Sequence, residues 1–441
     1  MSTSDDDRYA DSSLRILREP YVGRGKLEVL PKVVARDLED IALLYTPGVG
    51  YAVKEILARE AALGELTGRD NTIAVVTDGS AVLGLGRAGP RAALPVMEGK
   101  ASMFKLLVGI DAVPLCLDVR SPEQLLEFLE AAEPSFGGYN LEDIAAPHCF
   151  DIMEQAPARL TVPVIHDDQY GTATVVIAAL MNAFKLLGRE ATRQRVVVCG
   201  DGAAGTATVR LLKAFRVGDV LCVGLDGIIH RDGRYADPHR RWLAQETNCD
   251  GRRGGLMQAM EGADVFVGLS VANLVTPDMV ARMRARPIVL SLANPVPEIM
   301  PEDSLAGGAA IVGSGRFDYP NQCNNVLAFP GLMRGALDCG ALRVDQDACL
   351  AAARAIADDV PESELRPDNI LPTPLSSTLY PAVSEAVAQD LVARNLARRH
   401  PPPGAVAAHT VELRALVAER QAFVAARTPK YQTYGVSGRP R

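Results

Sequence analysis

From about residue 195 the chain alternates short apolar runs with amphipathic stretches. Four runs carry almost no charge: RVVVC (195–199), VLCVG (220–224), ADVFVGL (263–269) and IVLSL (288–292). A helical pattern over 206–215 separates the first two runs. Continuous apolar strands that alternate with helices are typical of a parallel sheet covered on both faces. The pattern therefore predicts an α/β fold with a doubly wound parallel sheet.

The first half of the chain predicts a second α/β unit. TIAVVTDG (72–79) and AVPLCLDV (112–119) have the composition of strands, and GGYNLEDIAAP (137–147) predicts a strand end followed by a loop. SPEQLLEFLEAAEPSFGG (121–138) predicts an amphipathic helix, because Ser-Pro at its start supplies an N-cap and a suitable first residue.

The rest of the chain is mostly helical in pattern. Residues 172–187 predict a buried apolar helix, 347–396 a low-charge helical region, and 411–428 an amphipathic helix after the linker-like HPPPG (400–404). The predicted divisions are a disordered tail over 1–19, an N-terminal domain over 20–165, a doubly wound domain with a helical end over 166–395, and a C-terminal extension with one helix over 396–441.

Composition excludes several classes of protein. The 441 residues carry a net charge of −8, which argues against a nucleic-acid-binding surface. No run approaches the length of a membrane span, and the polar, acidic start lacks the layout of a signal peptide. Eight scattered cysteines without a C-x-x-C pair predict buried thiols in a reducing compartment. We expect a cytoplasmic protein.

The glycine pattern G-x-G-x-x-G occurs twice, and its context separates the two copies. GDGAAG (200–205) follows an apolar strand, opens a helix without proline and leads to a second strand, which is the layout of a dinucleotide-binding βαβ unit. Its Gly200, Gly202, Ala203, Ala204 and Gly205 are the predicted cofactor-binding residues. GLGRAG (84–89) is followed by Pro90 and Pro95, which predict that no crossover helix follows it; it is instead a tight turn, or lines the other side of an active site.

The choice between NAD and NADP is open at this point. Asp226 lies at the expected distance for an acid that holds a ribose hydroxyl, but it could equally cap its own turn. Gly224 occupies the strand end itself. Asp201 lies inside the glycine turn, where a carboxylate near a pyrophosphate must point away or be neutralised.

Two acidic pairs stand next to apolar segments, Glu142-Asp143 in NLEDIAAP and Asp167-Asp168 in HDDQYGT. Buried like charges need a counter-charge or a metal. Carboxylates without thiolates suit Mg²⁺ or Mn²⁺. The alternative is that one aspartate caps a helix and that the other acids are solvated.

Lys100 in MEGKASMFK and Tyr45 in YTPGVG are further candidates for chemistry. A lysine in apolar surroundings beside a divalent cation has a lowered pKa and becomes a usable base, although most lysines are surface charges. A Thr-Pro-Gly turn places the phenol of Tyr45 rigidly, although a core aromatic is the simpler interpretation. Asn294, Asn324 and Asn325 carry amides that can hold a carboxylate or a carboxamide, or can make turns.

Together these stretches resemble the malic enzymes, specifically the shorter bacterial form. The likeness covers about four fifths of the chain and runs through nine ordered motifs: GKLEVLPK (25–32), YTPGVG, TDGSAVLGLG (77–86), MEGK, NLEDI, HDDQYGTA, GDGAAG, ANP and NNVLAFPG. The resemblance implies a Rossmann-type cofactor domain and an α/β malate-binding domain.

The resemblance also implies roles for individual residues. The implied set is Glu142, Asp143 and Asp168 as metal ligands, Lys100 as the base, Asp167 as its carboxylate partner, Tyr45 as the general acid, and Asn294 and Asn325 as substrate contacts. We add Asn324 to the predicted substrate contacts, and Asn294 and Asp226 to the predicted cofactor-binding residues. The longer enzymes carry an arginine after their glycine turn for the malate carboxylate. This chain reads DGSAVLGLG there, so that Ser80 or a backbone N–H must help instead.

The implied reaction is oxidative decarboxylation of L-malate to pyruvate and CO₂ with NAD or NADP and a divalent metal, in a homodimer or larger homo-oligomer. Lys100 would act as the neutral amine. Malolactic decarboxylation is a possible sibling reaction. A metal-free amino-acid dehydrogenase, or a nucleotide sensor without catalysis, are alternatives from other classes; both leave the acidic pairs unexplained.

Overall fold

The computed structural model describes residues 25–82 and 85–427, with side chains described as far as residue 422. The predicted tail over 1–19, Gly84 of the first glycine motif and the last residue of the helix predicted over 411–428 lie outside this range. Within it the chain forms one four-stranded and one six-stranded sheet.

The first sheet contains the predicted strands of the N-terminal half and one more. Its strands are β1 (Thr72–Thr77), β2 (Asp111–Cys116), β3 (Gly138–Leu141) and β4 (Val164–His166). Their order is β2-β1-β3-β4, and the three pairings are parallel. The carboxyl ends of these strands therefore meet at one edge of the sheet.

The second sheet confirms the doubly wound prediction. Its strands are β5 (Arg195–Cys199), β6 (Asp219–Gly224), β7 (Gly227–Ile228), β8 (Val265–Gly268), β9 (Ile288–Ser291) and β10 (Ile311–Ser314). The order is β10-β9-β8-β5-β6-β7, and only the β6–β7 pairing is antiparallel. The order reverses between β5 and β8, which is where open α/β sheets bind ligands.

Helices cover both sheets. Those of the N-terminal half are α1 (Leu38–Leu44), α2 (Val49–Ala58), α3 (Ala62–Leu66), α4 (Pro90–Val108), α5 (Pro122–Ala132) and α6 (His148–Arg159). The later helices are α7 (Asp167–Leu187), α8 (Ala203–Ala214), α9 (Pro238–Glu246), α10 (Leu256–Met260), α11 (Pro277–Ala281), α12 (Pro301–Ala306), α13 (Phe329–Cys339), α14 (Gln346–Asp358), α15 (Leu379–Ala393) and α16 (Ala405–Arg427).

The prediction that two prolines prevent a helix after the first glycine motif is wrong. Helix α4 begins at Pro90, includes Pro95 and connects the parallel strands β1 and β2. Pro90 is tolerated because the first helical residue needs no intrahelical N–H bond, whereas Pro95 removes one such bond. The helix nevertheless forms because it buries an apolar stripe against the core, made of Ala93, Met97, Ala101, Phe104 and Val108.

Helix α7 begins five residues before the start predicted from its apolar run. Asp167 and Asp168 therefore lie in its first turn, where negative charge is favoured by the helix dipole. The helix has 21 residues, and an 18-residue window of it has a mean hydropathy of 1.4, so that it is long and apolar enough to cross a membrane, contrary to the expectation from sequence. However, 67% of its apolar window is buried inside the protein, as in a core helix.

One apolar core joins the two sheets. Val176 and Leu180 of α7 belong to the same buried cluster as Ile73 of β1, Phe104 of α4 and Val198 of β5. Helix α7 is therefore packed by both halves of the molecule. The acids in its first turn are consequently fixed relative to both sheets.

Candidate active site

The register of β3 and β4 brings the two acidic pairs together. The strands are parallel neighbours, with Leu141 opposite His166 at their carboxyl ends. Residues 142–143 follow β3 directly and residues 167–168 follow β4 directly. Because the side chains of neighbouring parallel strands line up at the same edge, pairs separated by 25 positions in sequence become neighbours in space.

Three of these acids form a compact group of oxygen donors. Glu142, Asp143 and Asp168 each offer a carboxylate oxygen, and these oxygens lie within 4.8 Å of one another. The Asp143 backbone is left-handed with a φ of 55°, and its N–H donates to Asp168 Oδ2 at 2.9 Å. Asn140 Nδ2 donates to Glu142 Oε2 at 3.0 Å. Hard oxygen donors at this spacing fit a divalent cation such as Mg²⁺ or Mn²⁺.

Lys100 projects from α4 onto the same acids. Its Nζ lies 2.5 Å from Asp167 Oδ2 and 2.9 Å from Glu142 Oε1. It also lies 4.1 Å from the centroid of the Phe329 ring. Asn325 Nδ2 donates to the same Asp167 oxygen at 2.6 Å. Asp167 is fully buried, and the Lys100 side chain is 9% exposed, so the pair is nearly free of solvent.

Burial and charge act on this group in opposite directions. Burial alone would lower the pKa of Lys100, but Asp167 and Glu142 outweigh it and hold that pKa above its ordinary value. Burial raises the pKa of Glu142 well above its ordinary value although Lys100 opposes the shift. Burial likewise raises the pKa of Asp167. The sequence led us to expect a neutral Lys100. Next to Glu142 and Asp167 as free carboxylates, however, the charged ammonium is favoured.

Half of the predicted residues line one cavity. Its volume is about 690 Å³, and it lies between the carboxyl edges of the two sheets. The predicted residues in its lining are Lys100, Glu142, Asp143, Asp168, Ala204, Asn294, Asn324 and Asn325. Asp167 lies directly behind Lys100. Residues that share no sequence motif are thus gathered around one space.

The glycine turn after β5 has the geometry of a dinucleotide cradle. Gly200 has a φ of 121°, and a Cβ at Gly205 would stand 1.9 Å from the Gly200 carbonyl oxygen. No side chain caps the start of α8 at Gly202, within the part of the chain described, and a Cβ there would meet open space. The backbone N–H groups of this turn are therefore accessible to a phosphate.

Eight predicted residues lie outside the cavity lining: Asp167, the turn residues Gly200, Gly202, Ala203 and Gly205, and also Tyr45, Ser80 and Asp226. Tyr45 ends α1 and is 71% exposed. Ser80 is buried beside the cavity, where its Oγ donates to Asp78 at 2.6 Å and accepts from the Ala145 N–H at 2.8 Å. Asp226 lies two residues beyond the end of β6, and its side chain is 79% exposed. Their predicted roles stay predictions.

The structure adds functional residues that sequence reasoning missed. Phe329 lies against Lys100, and Thr172 and Ser270 join the lining. Glu298 is fully buried and accepts from the N–H groups of Ser270 at 2.8 Å and Ala293 at 3.2 Å, which ties together the loops after β8 and β9. Asn140, which donates to Glu142, could have been found from sequence. Alternate residues of a strand point to the same face, so that Asn140 and Glu142 share one.

Fold and site together define a class of protein, a two-domain oxidoreductase with a dinucleotide turn and a lysine–carboxylate centre. Residues 24–156 match the family model "Malic enzyme, N-terminal domain", and residues 169–395 match "Malic enzyme, NAD binding domain". The chain belongs to the malic enzyme family. It is an oxidoreductase of the NAD- or NADP-dependent kind, with a nucleotide cofactor.

Relatives and a solved structure agree with this assignment. The chain is 45% identical to the "Bifunctional malic/malolactic enzyme" of Bacillus subtilis over 89% of this chain and 96% of that protein. It is 44% identical to the "NAD-dependent malic enzyme" of Geobacillus stearothermophilus over 85% and 78%. The crystal structure of a malic enzyme from Pyrococcus horikoshii aligns with a TM-score of 0.91 and 39% identity, over 96% of this chain and 100% of that one.

These findings do not favour the metal-free amino-acid dehydrogenase weighed from sequence. Both halves of the chain match malic enzyme models, and the acids that this alternative leaves unexplained converge in one cluster.

Proposed function

We propose that this chain catalyses the oxidative decarboxylation of L-malate to pyruvate and CO₂, with NAD or NADP as the oxidant and Mg²⁺ or Mn²⁺ as the divalent ion. The observation that carries the proposal is one cavity, in which Lys100 and three carboxylates face the start of the dinucleotide helix at Ala204. The acidic composition and the free cysteines support a cytoplasmic setting, which is part of the proposal.

The carboxylates of Glu142, Asp143 and Asp168 would hold the divalent ion. When bound, such an ion supplies Lewis acidity toward the oxygen at C2 of the substrate. The donor set fits, because Glu142, Asp143 and Asp168 place carboxylate oxygens within 4.8 Å of one another, and such oxygens are the donors that Mg²⁺ and Mn²⁺ prefer. Holding three carboxylates this close together costs stability unless a cation offsets their charge.

The amides of Asn294, Asn324 and Asn325 would orient malate. All three residues line the cavity, and their uncharged amide N–H groups can donate to a substrate carboxylate beside an acidic cluster without adding further negative charge. Asn325 also holds Asp167 at 2.6 Å, so that it links the substrate side of the cavity to the partner of Lys100.

Lys100 would accept the proton of the malate hydroxyl, and a bound dinucleotide would supply the acceptor for the hydride from C2. Lys100 would become a base once Glu142 no longer faced it as a free carboxylate, as when Glu142 holds a cation. Asp167 then remains as the single carboxylate that fixes the Nζ in place. Burial of Lys100 favours the neutral amine.

The proposal is tested by mixing the protein with L-malate, Mn²⁺ and each dinucleotide in turn, while reduced dinucleotide, pyruvate and lactate are measured. We expect reduced dinucleotide and pyruvate in equal amounts, and loss of both when a chelator removes the ion. Lactate without reduced dinucleotide would instead indicate the malolactic reaction. Turnover that needs ammonia and ignores the chelator would contradict the proposal.

The N-terminal segment supports a homo-oligomer. Among the described residues, neither α1 nor α2 buries a side chain, although both are rich in large apolar residues. Leu38 is 83% exposed, Leu57 82% and Tyr45 71%. An apolar face of this extent is typical of a surface covered by another protein surface. We propose that a second copy covers it, and that Tyr45 thereby reaches the cavity of its partner as the general acid.

Mixing two inactive variants distinguishes this arrangement from one within a single chain. Tyr45→Phe and Lys100→Met are each expected to lower kcat by about 10²- to 10⁴-fold. When they are coexpressed, a hetero-oligomer has one site with both Lys100 and Tyr45 intact. Random pairing into a two-fold dimer should then restore on the order of one quarter of wild-type activity. If Tyr45 serves its own chain, every mixed site lacks one group and coexpression restores nothing.

A further inference from the structure

The carboxyl end of β6 lacks the side chain that usually contacts the ribose of a bound dinucleotide. In a dinucleotide-binding βαβ unit an acid at the end of the second strand holds the ribose hydroxyls. Here that position is Gly224. A Cβ built on Gly224 would stand 2.5 Å from Asp201 Oδ2 and 2.8 Å from Arg240 Nη2. The space beside Gly224 is therefore already filled by the carboxylate of Asp201.

Asp201 reaches this place from the neighbouring strand. β5 and β6 are parallel, with Cys199 opposite Val223, so that Gly200 and Gly224 follow at the same edge of the sheet. Asp201 is the second residue of the glycine turn. Its side chain extends sideways over the end of β6, away from the turn's own backbone, and 21% of the side chain is exposed.

Arg240 of α9 holds that carboxylate in place. Its Nε lies 2.6 Å from Asp201 Oδ2, and its Nη2 lies 3.2 Å from Asp226 Oδ2. The guanidinium also lies 5.4 Å from the centroid of the Tyr235 ring. This pairing explains how a pyrophosphate-binding turn can contain an aspartate. The carboxylate of Asp201 points toward Arg240, and the guanidinium neutralises part of its charge.

We propose that Asp201, positioned by Arg240, holds the adenosine ribose in place of the acid absent at 224, and that this makes the chain select NAD over NADP. The inference rests on the proposed seating of the dinucleotide at the 200–205 turn. Arg240 faces two carboxylates, and Asp201 is the less exposed of them, with 21% of its side chain exposed against 79% for Asp226. A carboxylate at this place accepts hydrogen bonds from ribose hydroxyls and repels a 2′-phosphate.

Binding rather than turnover tests this assignment. Isothermal titration of the wild-type protein with ADP-ribose and with its 2′-phosphate compares the two adenosine halves without the nicotinamide or the metal site. We expect ADP-ribose to bind about 10- to 100-fold more tightly, the value of one hydrogen bond to a charged group. NAD⁺ and NADP⁺ should follow the same order.

Three variants separate Asp201 from its neighbours. Asp201→Ala should lose the preference, with ADP-ribose about 10-fold weaker. Asp226→Asn is the matched control and should retain the preference, because its exposed side chain contributes little. The double variant Asp201→Ala with Gly224→Asp should regain it, since the new acid stands where the old carboxylate was. Gly224 needs no left-handed backbone, so the added side chain is tolerated once Asp201 is shortened.

Each remaining outcome is decisive. Tighter binding of the 2′-phosphate by the wild type, or its selective loss in Arg240→Met, would show that Arg240 reads a phosphate and would overturn the proposal. Failure of the double variant to regain the preference, with its thermal unfolding unchanged from wild type, would also overturn it. Absence of binding by both probes and both dinucleotides would instead refute the seating of the cofactor at the turn.

Discussion

Asp168→Asn is expected to lower kcat for malate by at least about 10²-fold, because even residues that only support a metal ligand cost about 10- to 100-fold when replaced. The variant keeps the shape of the side chain and an oxygen that can accept the Asp143 N–H, which donates at 2.9 Å in the wild type. It removes one negative charge from the oxygen cluster at residues 142, 143 and 168. The measurement is steady-state kinetics across a Mn²⁺ titration.

Thermal unfolding separates loss of the ion from loss of the fold. An ion at 100 times its dissociation constant stabilises the wild type by about 2.7 kcal/mol, and this gain should vanish in Asp168→Asn while dinucleotide binding stays intact. Asp303→Asn is a matched control, since Asp303 is an exposed acid in the first turn of α12. Normal turnover and normal stabilisation by Mn²⁺ in Asp168→Asn would refute the ligand assignment.

Lys100→Met is expected to have the second large effect, a fall in kcat of about 10²- to 10⁴-fold, the usual value of positioned proton transfer. The same change leaves Asp167 fully buried without its ammonium. Removal of one partner of a buried pair costs about 3–5 kcal/mol, so the free energy of unfolding should fall as well. Kinetics and urea unfolding measure the two effects separately.

The double variant Lys100→Met with Asp167→Asn distinguishes chemistry from folding. It removes both charges of the pair, so most of the lost stability should return, because no uncompensated carboxylate remains at position 167. Turnover should not return. Recovery of turnover together with stability would mean that Lys100 only supports the structure.

Four of the six strands of the second sheet could be predicted from sequence almost residue by residue, whereas β7 and β10 were not predicted. β5 and β6 agree with the predicted runs to within one residue, and β8 and β9 lie inside theirs. Strands buried on both faces are continuous apolar segments with glycines at their ends, so the physical cause of burial is visible in the sequence itself. The glycine turn at 200–205 could be assigned for the same reason.

The first sheet was harder to predict because tertiary packing overrides local preference there. Pro95 argues against a helix on local grounds, yet α4 forms because its apolar stripe is buried. The start of α7 was placed too late, because the apolar run begins after the acids that open the helix. Neither effect can be seen in the local pattern alone.

The site could be predicted where motifs carry the residues, but not where contacts come from elsewhere. Lys100 and the two acidic pairs were identified individually, and the register of β3 and β4 explains their convergence. In the sequence, the glycine at 224 and the aspartate at 201 appeared as two unrelated features. We propose above that Asp201 replaces the acid absent at 224. Tyr45 is 71% exposed, so its predicted role depends on the proposed second copy, which spacing along one sequence does not encode.

The buried helix that opens at Asp167 has a mechanical consequence. Its first turn bears both Asp167, which pairs with Lys100, and Asp168, the proposed ligand of the ion. The turns beyond it are packed between the two sheets. A tilt of helix α7 would move the carboxylates of Asp167 and Asp168 together. A larger side chain at Ala178, about 16 Å along the helix axis from Asp167, would thus have the effect of a substitution in the site. The affinity for the ion and the rate of proton transfer should both fall.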